Sequence, residues 1–151
     1  MKAPAIARIL GIAFLAAGID GFVPQLTLPA GLTAQWVTLG AEYGFLAGLF
    51  PVNVVHDALH LLFGIWGLVA SGSFPAAVRY CKTIACVYIV LVIVGAIPLM
   101  GTLFGVMPVY GWDIALHAVI AFVALYGGYG AGRFETTPPA VLGASTRPPG
   151  A

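Results

Sequence analysis

Four stretches of the chain stay apolar long enough to cross a membrane, at 5–23, 54–70, 83–100 and 111–127, and the polar residues gather between them. A transmembrane helix needs about 17–25 mostly apolar residues, so the pattern predicts an all-α integral membrane four-helix bundle. The connection at 24–53 is the longest. Its Pro24, Pro29 and Pro51 and its Gly31, Gly40, Gly44 and Gly48 argue against one continuous helix, while Trp36, Tyr43, Phe45 and Phe50 suit a lipid–water boundary. The expectation is a loop on the outer surface carrying one short interfacial helix around 34–43. A fifth crossing there would bury Glu42 in mid-span. A short turn at 71–75 makes the second and third spans antiparallel neighbours, and Pro98 marks a kink or stop near the end of the third. Residues 1–132 form the transmembrane domain, followed by a tail at 133–151 that holds Pro138, Pro139, Pro148 and Pro149 and is expected to be disordered in the cytoplasm.

Composition agrees: 61% of residues are hydrophobic, 7% are charged and mean hydropathy is +1.04, too little polar surface to cover a water-soluble globule. Charge then orients the chain. Lys2, Arg8, Arg79, Lys82, Arg133 and Arg147 all fall in the N-terminal segment, around the second connection, or in the tail. Short basic segments stay in the cytoplasm, which places both termini there. His56, His60 and His117 lie on the opposite side with Asp20, Glu42, Asp57 and Asp113. A net charge of +1 provides no field for gathering nucleic acid. The first span, after Lys2 and Arg8, resembles a secretory signal with Ala16-Ala17-Gly18 as a cleavage site. Because the apolar run continues to Val23, an uncleaved span is the better reading. Cys81 and Cys86 sit about 140° apart on a helix and cannot easily pair; both are expected to pack as small hydrophobes.

An internal repeat is visible. Gly48-Leu49-Phe50-Pro51-Val52, His56 and Ala58-Leu59-His60 align without a gap onto Gly105-Val106-Met107-Pro108-Val109, Asp113 and Ala115-Leu116-His117. The halves read as duplicated helix hairpins.

Candidate chemistry is confined to this repeat. His56 and His60 are four apart, as are Asp113 and His117, so each pair shares a helix face. Packed about a pseudo-twofold axis, the hairpins bring three imidazoles and a carboxylate together, with His60 about 9 Å inside its helix. Zinc or copper accepts such donors, and two histidines from different helices can hold a haem. A second reading gives the same residues no ligand: polar groups inside a membrane protein hydrogen-bond one another, so Asp113 to His56 and Asp20 to His117 staple helix ends, while Asp57 and Glu42 are solvated surface acids. Apolar mid-spans give no support to transport. Neither a nucleophile with an adjacent base nor a phosphate-cradling loop is present, so no enzymatic activity is expected.

At Gly48-Leu49-Phe50-Pro51-Val52-Asn53, followed by His56 and His60 and later by Asp113 and His117, the chain resembles a bacterial membrane family known as domain of unknown function 4383. The likeness runs from about Ile6 to Gly128. It implies a four-span inner-membrane protein and carries no activity with it. The leading functional expectation is a non-enzymatic accessory or scaffold subunit, its Gly64, Gly67, Gly95 and Ala115, Ala118, Ala121 and Ala124 faces serving the bundle, a membrane-protein partner or a second copy. The rival is a periplasm-facing metal- or haem-binding protein using His56, His60, Asp113 and His117. A third reading has the buried histidines sense outer pH.

Overall fold

The computed structural model describes residues 2–31 and 34–130. Its four helices are α1 (Lys2–Gly21), α2 (Val54–Ala70), α3 (Phe74–Ala96) and α4 (Trp112–Leu125), and α4 runs on into a π-helical turn at Tyr126–Gly130. α1, α3, and α4 with its π turn are long and apolar enough to cross a membrane; α2, at 17 residues, is a shorter apolar helix. The tail expected at 133–151, with Arg133 and Arg147, lies outside the described residues.

Each helix boundary has a local cause. α2 starts where Asn53, with extended backbone, accepts a hydrogen bond from the His56 backbone N–H at 3.0 Å. α3 starts earlier than its apolar run suggests, because Ser73 caps it and Pro75 sits in the first turn, where a missing N–H costs nothing. Arg79 and Lys82 are therefore inside this helix. It stops at Ile97, which precedes Pro98 and is forced into extended backbone. α4 starts after Gly111, with Asp113 in its first turn, where the carboxylate complements the helix dipole.

α1 packs chiefly on α2, and α3 on α4, with α1 against α3 joining the two hairpins. The α1–α2 crossing is tight enough to exclude side chains: a Cβ on Gly67 would stand 2.8 Å from the Gly11 Cα, and one on Gly11 2.9 Å from the Leu68 nitrogen. The core is built from Ala7, Leu10 and Phe14 of α1, Tyr80, Ile84 and Tyr88 of α3, and Ala121 and Ala124 of α4. Cys81 is buried and Cys86 exposed, both as free thiols. The outward faces are mostly apolar, with Ile9, Leu62, Val69, Ile93, Val119 and Phe122 all more than half exposed; Arg8, Arg79 and Lys82 are the exposed charges on α1 and α3 beyond Lys2. Such a surface suits lipid rather than water.

Both long connections, 22–53 and 97–111, lie at one end of the structure, here the loop end; the short turn after α2 lies at the other. The first connection departs from expectation. In place of an interfacial helix around 34–43 it forms a three-stranded antiparallel sheet, β1 (Thr27–Pro29), β2 (Gly44–Leu46) and β3 (Phe50–Val52), in the order β1-β2-β3. The all-α expectation is corrected to that extent. Glycines and prolines that block a helix still permit short strands joined by tight turns. The two connections bond to each other. Thr38 and Leu39 N–H groups donate to the Gly105 carbonyl at 2.7 and 3.2 Å, and the Tyr43 and Tyr110 hydroxyls meet at 2.6 Å. Burial, reinforced by Tyr110, raises the Tyr43 hydroxyl above its ordinary pKa, so it stays protonated.

Candidate metal centre

The centre is assembled where α2 and α4 begin, beneath the joined loops. Asn53 anchors it. While its side-chain oxygen caps α2, its amide donates to the Leu39 and Val106 carbonyls, each at 2.9 Å, which ties α2 to both connections. Pro51-Val52 and Pro108-Val109 lead into α2 and α4 and are buried. The Pro51 and Pro108 carbonyls approach the His56 ring, yet no hydrogen bond of acceptable geometry reaches its Nδ1.

His56, His60, Asp113 and His117 are all buried and converge between α2 and α4. Asp113 Oδ2 lies 3.6 Å from His117 Nε2 and 3.9 Å from His56 Nε2. One ligand atom from each of His56, Asp113 and His117 falls within 4.8 Å of the other two. His60 is close behind, its ring centroid 4.5 Å from that of His56. Aromatic rings wall the group: Phe14 stacks on His60 at 5.5 Å, and Tyr88 meets His117 edge-on at 4.9 Å. These two walls went unnoticed in the sequence because both belong to helices with no polar motif near them.

The hydrogen bonds of a polar staple are absent among the described residues. Nδ1 of His56, His60 and His117 and Oδ2 of Asp113 are buried with no hydrogen-bond partner there, and 3.6–3.9 Å exceeds hydrogen-bond length. Asp20 does not join the cluster. It stands half-buried beside a cavity bordered by Leu26, Phe50 and Leu116.

Asp57 differs from the solvated acid expected. It is fully buried, with neither carboxylate oxygen partnered among the described residues, and points at Gly21, where a Cβ would overlap the carboxylate. On α2 it follows His56 directly, so one residue faces the histidines and the next faces α1. Glu42 is exposed as expected and borders a cavity of about 300 Å³ with Gly21, Phe22 and Tyr43.

The donor set suits a small ion better than a macrocycle. Tetrahedral zinc with bonds of about 2.0–2.1 Å holds its ligand atoms about 3.4 Å apart, close to the spacing from Asp113 to either histidine. A haem fits poorly. The His56 and His117 ring centroids are 5.9 Å apart, and the cavity beside His56 and His60 is about 100 Å³, below the ~300 Å³ at which ordinary ligand pockets begin.

Fold and site together define a helical protein with lipid-compatible outer faces and a buried His/Asp cluster at one end. The family model described as Domain of unknown function (DUF4383) matches residues 5–130, and the chain belongs to that family. No curated protein and no solved structure matches it.

Proposed function

We propose that this chain is a four-span inner-membrane protein that holds a divalent transition-metal ion, zinc being the natural choice, at the loop end of its bundle. The observation that carries the reading is the convergence of His56, Asp113 and His117, buried and with ligand atoms within 4.8 Å of one another. Leaving a buried polar group unsatisfied costs about 1–3 kcal/mol, and Asp113 Oδ2, the atom nearest the Nε2 atoms of His56 and His117, is such a group. An ion held there satisfies that oxygen and takes the Nε2 lone pairs of both histidines. His60, its ring centroid 4.5 Å from that of His56, is the nearest further donor, and its turning in as fourth ligand would close the shell as in structural zinc sites. The ion then braces α2 against α4, and no enzymatic role is assigned to it.

Two further observations support this. Positive φ angles at Glu42, Ala47 and Gly48 in the first connection recur at Leu99, Phe104 and Gly105 in the second, in the register of the sequence repeat, while those at Leu103 and Gly111 have no counterpart. Turn hydrogen bonds match as well, Gly48 to Phe45 corresponding to Gly105 to Thr102. A duplicated hairpin accounts for His60 and His117 holding equivalent positions, four residues after His56 and Asp113. For orientation, the basic residues favour both termini in the cytoplasm and the metal centre toward the periplasm. C-terminal fusions test this: a fluorescent protein should fold and alkaline phosphatase should stay inactive.

Zinc titration against a chromophoric chelator tests the centre itself, using protein in mild detergent. Wild type should bind one equivalent; His117→Ala and Asp113→Ala should lose at least a hundredfold in affinity, and His60→Ala should lose less. Equal affinity in all four proteins would refute the reading.

The accessory-subunit reading stands second, favoured by Leu99 and Phe104. Both are strongly exposed, at 95% and 77%, and both are held at positive φ, a conformation that costs a non-glycine residue about 1 kcal/mol or more. Strain that presents apolar side chains from a loop suits docking to another membrane protein. A stoichiometric partner that co-purifies with wild type and is lost in Leu99→Ser/Phe104→Ser would establish it.

A further inference from the structure

Along the outward side of α3 and α4 runs an apolar groove in two joined sections of about 260 Å³ each, which share Ile89 and Leu125. The section toward the loop end is walled by Ile93, Ala118 and Phe122. The other ends at Lys82 and Tyr129, with the Lys82 ammonium 4.7 Å from the centre of the Tyr129 ring. Gly128 makes this arrangement possible, since a Cβ there would stand 2.8 Å from the Lys82 side chain. Neither Lys82 nor Tyr129 is buried, so the ammonium keeps donors free beyond the aromatic face.

Three properties identify the occupant. The walls are hydrocarbon and open sideways from paired apolar helices, so the groove meets lipid tails. From Lys82 to Ile93 along α3 is about 16 Å, and from Tyr129 to Ala118 along α4 is the same; this is half the ~30 Å hydrocarbon thickness of a bilayer, the depth of one leaflet. The end of the groove carries positive charge beside a tyrosine, a pairing suited to the headgroup boundary. We propose that the groove holds an acyl chain of an anionic glycerophospholipid whose phosphate is bound by Lys82, with the Tyr129 hydroxyl beside it. This rests on the membrane reading above and is independent of the metal centre.

The test is native mass spectrometry of the full chain from mild detergent doped with equal amounts of phosphatidylglycerol and phosphatidylcholine. Carbonate extraction of the source membranes is run first; release of the protein into the soluble fraction would overturn the membrane reading itself. For membrane-retained protein, wild type should keep one phosphatidylglycerol with about fivefold preference, the worth of one basic residue at an anionic headgroup. Lys82→Gln should abolish the preference and Lys82→Arg should keep it. Ala118→Trp, which fills the apolar section, should weaken retention of both lipids. Circular dichroism establishes that each variant is folded. Equal retention of the two lipids by wild type, an unchanged preference in Lys82→Gln, or displacement of lipid by excess inorganic phosphate would overturn the proposal.

Discussion

Replacing Asn53 by Ala removes three contacts at once: the cap on the His56 N–H and the donations to the Leu39 and Val106 carbonyls. Loss of an N-cap costs about 1 kcal/mol, and each hydrogen bond contributes about 1 kcal/mol net, so Asn53→Ala should cost about 3 kcal/mol. Ser in the same place keeps the cap but is too short to bridge both carbonyls. Asn53→Ser should therefore cost about 2 kcal/mol. At roughly 2–4 °C per kcal/mol for a chain of this size, the melting temperature should fall by about 6–12 °C for Ala and about 4–8 °C for Ser. Thermal scans by circular dichroism, in detergent with chelator present, measure the fold without any contribution from metal. A fall under about 2 °C for Asn53→Ala would refute the reasoning, since the two connections would then be held together by something other than Asn53. With chelator omitted, the same variant should also bind zinc more weakly, because the cap sets where His56 stands.

Gly21→Ala drives a methyl into the Asp57 carboxylate and should cost about 1–3 kcal/mol; a double-mutant cycle with Asp57→Ala should recover at least 1 kcal/mol of that, and strict additivity would deny the contact. Asp57→Ala alone removes an unpartnered buried carboxylate and should leave denaturant stability equal or higher; a loss above about 1 kcal/mol would show that the carboxylate has a partner. Gly67→Ala meets the Tyr80 hydroxyl at 2.7 Å as well as the α1 backbone and should cost about 2 kcal/mol or more, whereas Gly72→Ala, facing only the Val69 carbonyl at 3.3 Å, should shift the melting temperature little. Equal shifts for the two would contradict the tight α1–α2 crossing.

Much of this arrangement is legible in the sequence because a long apolar run has few alternatives. The bounds of α2 match the second predicted span, 54–70. For α3, the apolar run begins at 83, but the helix begins at Phe74, since capping by Ser73 and the early Pro75 act through backbone hydrogen bonds that hydropathy does not register. The sheet at 27–52 was hidden for a similar reason: three-residue strands are too short to show a period of two. Spacing placed His56, His60, Asp113 and His117 on shared faces, and the structure brings all four together. The same spacing left Asp57 looking like a surface acid, because its burial depends on Gly21 of a different helix. Asn53 stood in a recognisable motif, but its hold on Val106 is a contact across the two halves, which only the fold supplies.

The most direct test of the metal centre is elemental analysis of the protein purified from native membranes in mild detergent without chelator, wild type beside His117→Ala. The account predicts close to one equivalent of zinc or another divalent transition metal in wild type and almost none in the variant. A folded, metal-free wild type that also fails to take up added zinc, or equal metal in both proteins, would contradict it and leave the cluster of His56, Asp113 and His117 as packing alone.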